Sequence, residues 1–222
     1  MKEKVKQQAQ RILDKLLSDT KIGSVIDDSN PTPDVFCGTG EIQIIILGQD
    51  LTVKDEQSRK SITTVLNLDK SGNLKRYIEK ICGYLDITLD ENIYATNYFK
   101  NFFIQPPTII KNINIFREHR LYWLDLLKEE LAQFPTIPII TLGEPLLETI
   151  LKSSQNKKVR TYWGYNSDWK TSIDGPFQSI SPKYTYLERK VFPFPHQPSI
   201  RKKFYYERLE KYATFVKSHM TK

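Results

Sequence analysis

Four short apolar runs, separated by helical patterns, dominate the hydrophobic pattern of this chain. They are rich in Ile, Val, Tyr and Phe and are bounded by turn residues; they cover Ile42–Leu47, Asn92–Asn97, Ile137–Leu142 and Lys190–Phe194. Continuous apolar runs of this length, without alternation, predict strands buried on both faces, as in a parallel sheet.

Apolar residues at helical spacing lie between and after these runs. The spacing predicts helices at Leu74–Leu85, Arg117–Phe134, Pro145–Leu151 and Arg201–Ser218, and an amphipathic helix within residues 1–20 that packs on the body. Because strands alternate with helices, the expected fold class is α/β, with a parallel sheet covered by helices on both faces. Residues 152–186 are less regular, and a short extra strand or a surface excursion is expected there. The 222 residues fit one domain, 1–222.

Composition and charge narrow the possible partners. The formal net charge of +7 favours a polyanionic partner, although a solvated basic surface explains it equally well. Cys37 and Cys82 form neither a metal-ligand spacing nor a disulfide framework, and their scarcity fits a reducing compartment. No apolar run reaches the length of a membrane span, and residues 1–19 lack the apolar region of a signal peptide. We therefore expect a cytoplasmic protein with no membrane partner.

Polar residues follow the first and last predicted strands. Gly48-Gln49-Asp50 ends one run and His196-Gln197-Pro198-Ser199 ends the other. In open α/β sheets ligands bind at the carboxyl ends of the strands, so an acid and an imidazole can meet there. Asp50 can orient a water or oppose a developing positive charge, or it can simply cap a helix. Flanking prolines stiffen the loop of His196, which suits a group that meets a substrate; an ordinary turn histidine is the alternative.

Two further segments carry candidate binding groups. Asn97 ends the second run, where its amide can bond a planar substrate edge or can close the strand into a turn. Tyr98 and Lys100 belong to an aromatic and basic stretch that suits base stacking, or plain core packing. Arg201–Lys203 open the last helix, where a phosphate would offset their unfavourable position in the helix dipole; a solvated charge run is the alternative. No phosphate-binding loop, dinucleotide fingerprint, zinc cluster or Gly-x-Ser-x-Gly elbow occurs.

The order of these motifs resembles that of the uracil-DNA glycosylase superfamily, over most of Glu41–Val216. Ile45–Asp50 resembles the first motif of that superfamily, and Tyr94–Lys100 resembles the segment with a base-reading Asn. Leu66–Leu68 and the following Asn73–Ile78 resemble the stretch that carries the base-stacking aromatic, and Ile139–Gly143 resembles the third strand. Pro106-Pro107 follow Lys100 as in one branch of the superfamily, and His196–Ser199 resembles the His-Pro-Ser-Pro motif.

The resemblance implies a three-layer α/β/α sandwich with a central four-stranded parallel sheet. It also implies removal of uracil from DNA by hydrolysis of the N-glycosidic bond, on a base that has left the stack, with no cofactor and no metal. Asp50 would orient water and stabilise the sugar cation, His196 would donate to the base oxygen, and Ile200 would fill the emptied stack. The implied substrate-binding residues are Gly48, Gln49 (through its backbone amide), Leu68, Asn97 and Tyr98. The implied DNA-binding residues are Lys100, Ser199, Ile200, Arg201, Lys202 and Lys203.

Three departures from the superfamily pattern keep other functions open. Leu51-Thr52-Val53 replaces a Pro-Tyr-His that follows the Asp, Leu68 replaces a stacking Phe, and Gln197 intrudes after His196. The leading hypothesis is a monomeric DNA glycosylase for a deaminated base, uracil first. The second is a catalytically inactive glycosylase-like module that binds nucleic acid or protein, and the third is a nucleoside or nucleotide hydrolase.

Overall fold

The computed structural model describes residues 2–50, 55–111, 113–152, 159–165, 176–196 and 202–220. The strands in these ranges are short. They are β1 (Ile26–Asp27), β2 (Phe36–Cys37), β3 (Ile44–Gly48), β4 (Ile93–Asn97), β5 (Phe102–Phe103), β6 (Ile139–Leu142) and β7 (Val191–Phe194). The four predicted strands therefore correspond to β3, β4, β6 and β7, and their bounds agree within two residues. β1 and β5 form a separate antiparallel ribbon.

The central sheet has five strands in the order β2-β4-β3-β6-β7. β3 pairs in parallel with β4 and β6, and β7 pairs in parallel with β6. The expected four parallel strands are thus present, but the expected strand count is wrong, because β2 adds a fifth strand antiparallel to β4. Two residues are too few to produce a hydrophobic pattern, which is why this edge strand escapes sequence reasoning.

Helices form at the five predicted places, and further short helices that were not predicted lie between them. They are α1 (Lys2–Ser18), α2 (Thr20–Gly23), α3 (Glu56–Lys60), α4 (Asn73–Leu85), α5 (Leu89–Asn92), α6 (Ile115–Glu118), α7 (Arg120–Leu131), α8 (Glu144–Ile150), α9 (Lys202–Glu207) and α10 (Leu209–Lys217), with 3-10 turns at Val65–Asn67, Val159–Trp163 and Pro182–Tyr184. The helix predicted at 117–134 is divided at His119. The helix predicted at 201–218 is divided at Arg208, whose φ of −126° departs from helical geometry. Where 152–186 is described, it holds 3-10 turns and single bridges, not a further strand.

The core lies on both sides of the sheet. Every residue of β3, β4, β6 and β7 is buried, as expected for strands covered on both faces. α4 packs against α10, α1 packs against α7, and α8 contacts β6. The result is a mixed α/β fold with a mostly parallel central sheet, compatible with an α/β sandwich. Across the described ranges, the helices are all too short or too polar to traverse a membrane.

Candidate active site

The carboxyl ends of the four parallel strands meet at one edge of the sheet. Gly48 of β3 is in register with Asn97 of β4, and Leu142 of β6 is in register with Phe194 of β7. Strands lie about 4.8 Å apart. The strand preceding Asp50 therefore lies about 5 Å from that of Asn97 and about 10 Å from the strand that leads to His196. The topology thus brings the predicted acid, amide and imidazole to the same edge.

Asn97 presses its side chain against the backbone of Gly48. A Cβ atom added at position 48 would lie 2.2 Å from Asn97 Oδ1 and 2.6 Å from Leu66 Cδ2, so only glycine fits there. Asn97 is fully buried, and neither its Oδ1 nor its Nδ2 has a hydrogen-bond partner within the described ranges. A buried amide without partners costs about 1–3 kcal/mol, so its presence calls for an explanation such as a ligand or an ordered water.

The cavity beside Asn97 is small. Its volume is about 20 Å³ and its lining includes Lys100, Val65 and, from α1, Val5 and Lys6. A volume of ~10–15 Å³ is the minimum for one water, so this cavity has room for a single water and not for a nucleobase. Residues 32–35 complete the wall, and an ion pair of 2.6 Å joins Lys6 to Asp34. A larger ligand could reach the amide only if α1 or this segment moved.

Asp50 is positioned by contacts that continue the β3–β4 pairing beyond the strands. The backbone N–H groups of Tyr98 and Phe99 donate to the carbonyls of Gly48 and Gln49, at 2.9 Å each. Gln49 Nε2 in turn donates to Asp50 Oδ2 at 2.6 Å. Both Gln49 and Asp50 are half-buried. The carboxylate is therefore oriented at the end of the central strand, where it can stabilise a nearby cation or position a water.

His196 lines a second, larger cavity at the same edge. The cavity has a volume of about 180 Å³ and is lined by Gly143, Glu144, Pro145, Val159, Trp163, Phe194 and Pro195 as well as His196. A cavity of ~150 Å³ accommodates benzene, so this one has room for a single six-membered ring. The backbone N–H of Gly143 donates to the Phe194 carbonyl at 2.9 Å, which joins the two strand ends that form the cavity floor.

The surroundings of the His196 imidazole favour its neutral form. The residue is exposed to solvent, yet the protein atoms packed around the ring desolvate it, and this lowers the pKa of His196 below its ordinary value. Since a neutral imidazole still has one N–H donor, it can stabilise an anion by a hydrogen bond at neutral pH without carrying charge.

Two residues of this cavity escape the sequence reasoning. Glu144 opens α8 directly after β6, and Trp163 belongs to the irregular part of the chain. Trp163 is fully buried; its Nε1 donates to the Pro193 carbonyl at 2.7 Å and its ring lies 4.3 Å from that of Phe204. The sequence does contain a signal for Glu144. A glycine followed closely by an acidic residue ends the third predicted strand, as Gly48-Gln49-Asp50 ends the first. Trp163 gives no such signal.

Lys100 lies in the interior, where its side chain cannot make the predicted contact with DNA. It is 3% exposed, and its Nζ donates to Glu130 Oε2 at 2.5 Å and to Thr96 Oγ1. Tyr94 donates to the other oxygen of Glu130 at 2.7 Å. Desolvation lowers the pKa of Lys100, although Glu130 opposes the shift. The side chain turns inward because a buried carboxylate lies within its reach.

The other predicted contact residues are placed in three ways. Tyr98 and Leu68 are fully buried, and the Tyr98 hydroxyl donates to the Arg120 carbonyl at 3.1 Å. Both side chains pack in the core, which for Tyr98 is the alternative to base stacking. Lys203 is exposed, with Nζ 5.7 Å from the Tyr165 ring, and Lys202 is the first residue of α9. Ser199, Ile200 and Arg201 lie outside the described residues, as do Leu51–Val53 and Gln197.

The edge therefore carries two separate sites. Asn97 and His196 line different cavities, and Asp50 follows the strand nearest to Asn97. Over the ranges given above, no group of three or more His, Cys, Asp or Glu residues could hold a metal ion.

Comparisons with known proteins add no family to this picture. No protein-family model matches the chain. No curated protein matches it either. The resemblance to the uracil-DNA glycosylase superfamily therefore rests on the motifs and their order alone.

Proposed function

We propose that this protein is a DNA glycosylase that hydrolyses the N-glycosidic bond of a deaminated base, uracil first, as a cytoplasmic monomer. The proposal includes the three-layer α/β/α arrangement of the superfamily that the motifs resemble. The observation that carries it is the amide of Asn97, which is fully buried, has no partner among the described residues and lies at the carboxyl end of the sheet. An amide with both its donor and its acceptor available can read the polar edge of a base bidentately.

Asp50 acts on the sugar in this proposal. Cleavage of the glycosidic bond leaves an oxocarbenium-like sugar, and a carboxylate oriented beside it lowers the energy of the developing charge. The hydrogen bond from Gln49 Nε2 to Oδ2 holds the Asp50 carboxylate in one orientation, in which it can position the attacking water. Asp50 follows the strand adjacent to that of Asn97, which suits a base and its sugar held by neighbouring residues.

His196 acts on the departing base. The base leaves as an anion, and a neutral imidazole N–H donates to its oxygen as the charge builds. The lowered pKa of His196 supports this role, because the ring stays neutral at physiological pH. Base entry requires the walls of the Asn97 cavity to move, since about 20 Å³ is too small for a base. The same movement must open this cavity towards His196, because the two residues line separate cavities in the structure.

The test is base release from oligonucleotides containing uracil, hypoxanthine or xanthine, in single and double strands, read as strand breaks after alkali. We expect breaks with the wild type and a loss of about 10²-fold or more in rate for Asp50→Asn and for His196→Ala. Asp28→Asn, which removes an exposed carboxylate on the segment after β1, is the matched control and should cleave normally. No release of any of the three bases from either form of DNA would refute the proposal.

A catalytically inactive module with the same fold is the second candidate. It is favoured by the separate cavities of Asn97 and His196 and by the burial of Leu68 at the position of the stacking aromatic. This candidate predicts DNA binding by the wild type without base release, and unchanged binding in the Asp50→Asn, His196→Ala double variant. Base release by the wild type that the double variant abolishes would eliminate it.

A further inference from the structure

Tyrosine and lysine side chains form a distinct surface where α4 meets α9. Tyr206 is 79% exposed, which is the highest exposure among the large hydrophobic residues that the structure describes. Tyr205, which contacts the Tyr206 ring, and Tyr84 of α4 are half-buried, and Lys80 is exposed. We call Lys80, Tyr84, Tyr205 and Tyr206 the tyrosine–lysine surface.

Contacts between the helices hold these side chains in place. Lys80 Nζ donates to the Tyr205 hydroxyl at 3.2 Å, lies 4.4 Å from the centroid of the same ring and lies 5.9 Å from that of Tyr84. The Tyr205 ring packs on buried Tyr77 at 6.2 Å and meets the Tyr206 ring edge-to-face at 5.1 Å and 85°. Tyr206 therefore presents an aromatic ring to solvent while its contact with the packed Tyr205 ring holds it in place.

The charges around this surface are mainly positive. Among the side chains of α4 and α9 that the structure describes, the cations are Lys75, Arg76, Lys80 and Lys203, and the anions are Glu79 and Glu207. The hydrogen bond to Tyr205 raises the pKa of Lys80, so this lysine stays charged at neutral pH. The other exposed large hydrophobic residues of the described chain, Ile104, Ile109 and Leu121, lie on different segments. Because Tyr84 and Tyr205 are half-buried, Tyr206 is the exposed aromatic ring of this surface, which lacks the contiguous exposed apolar area typical of a protein-binding patch.

We propose that the tyrosine–lysine surface binds single-stranded nucleic acid, with a base stacked on Tyr206 and phosphates beside Lys80 and Lys203. Stacking needs an open base face, which a single strand offers and the interior of a duplex does not. Cations interleaved with an exposed aromatic ring are the combination that binds single strands without sequence preference. The choice of DNA as the polymer rests on the proposed function; the surface itself lies outside the residues assigned to cleavage.

The test measures binding of fluorescein-labelled, uracil-free oligothymidine of 15 nucleotides and of a hairpin duplex, by anisotropy, with the full-length protein. We expect tighter binding to the single strand. Tyr206→Ala should weaken that binding roughly 5- to 150-fold, the range for loss of one stacked base, whereas Tyr206→Phe should retain it. Lys80→Gln should reduce the slope of log affinity against log salt by about 0.7 for one lost phosphate contact. Leu121→Ala removes another exposed side chain and is the matched control.

The outcomes separate this proposal from the glycosylase proposal. Equal binding by wild type and Tyr206→Ala overturns the stacking surface, whether or not uracil is released in the cleavage assay. Equal loss of single-strand and duplex binding in Tyr206→Ala also overturns it. So does the absence of wild-type binding to either DNA, which would favour a protein partner for this surface. A selective loss in Tyr206→Ala supports it even if no base is ever released.

Discussion

Replacement of Glu130 by Gln tests the buried ion pair that holds Lys100 inside the molecule. The side chains of Lys100 and Glu130 are 4% and 0% exposed, and their charged atoms lie 2.5 Å apart. At an effective dielectric constant of ~20, the attraction over that distance is about 7 kcal/mol, but desolvation of two ions costs several kcal/mol each. The net gain from the pair is therefore small, whereas the cost of breaking it is large, because one charge stays buried without its partner.

We expect Glu130→Gln to lower the free energy of unfolding by about 3–5 kcal/mol. Lys100→Met with Glu130→Gln removes both charges and leaves an amide to bond Tyr94, so this double variant should lie within about 2 kcal/mol of wild type. Urea denaturation followed by circular dichroism measures both values. A Glu130→Gln loss below about 1 kcal/mol, or a double variant as unstable as the single one, would refute the buried pair.

The pH dependence of Glu130→Gln gives an independent readout of the same pair. Without Glu130, which raises the pKa of Lys100, desolvation lowers that pKa further below the ordinary 10.5. The folded state then binds fewer protons than the unfolded state, so its stability rises as the pH approaches 10.5. The loss in free energy of unfolding of Glu130→Gln, relative to wild type, should therefore become smaller between about pH 7 and 10. A loss that stays constant over this range would contradict the reasoning.

Three further substitutions test individual features of the fold and the site. Gly48→Ala, whose Cβ would lie 2.2 Å from Asn97 Oδ1, should cost about 1–3 kcal/mol in urea unfolding; an unchanged midpoint would mean that the contact is not tight. His119 is fully buried with both ring nitrogens unpaired within the described chain, and burial lowers its pKa to about 4. Below pH 6.5 the histidine is protonated in the unfolded state before it is protonated in the folded state, so the free energy of unfolding of the wild type should fall by up to ~3 kcal/mol towards pH 4. His119→Phe should remove this fall. An equal fall in the variant would mean that other groups cause it. Gly143→Ala should lower the melting temperature, because a φ of +96° strains any side chain by about 1–3 kcal/mol, whereas its contact with His196 Cβ at 3.5 Å is ordinary; an unshifted melting temperature would contradict this.

The strands and their shared edge follow from the sequence. Runs such as Ile44–Gly48 and Ile139–Leu142 are continuous and rich in β-branched residues, so the local composition predicts that they are buried in a parallel sheet. Parallel strands direct their carboxyl ends to one edge, and for that reason the positions of Asn97, Asp50 and His196 at that edge could be predicted without coordinates.

Side-chain direction and cavity shape depend on the tertiary structure alone. The aromatic stretch around Lys100 predicts a contact with DNA, but the carboxylate that turns the lysine inward belongs to Glu130, 30 residues away. Likewise Trp163 and His196 line the same cavity, although nothing in either sequence segment indicates that the two are close in space. The sequence by itself determined the four parallel strands, but not β2, and it determined the edge at which their polar groups gather, because these strands depend on local apolar patterns. Which of those groups face a cavity and which face the core was decided only by contacts between distant segments, since burial and pairing energies depend on the partners that folding supplies.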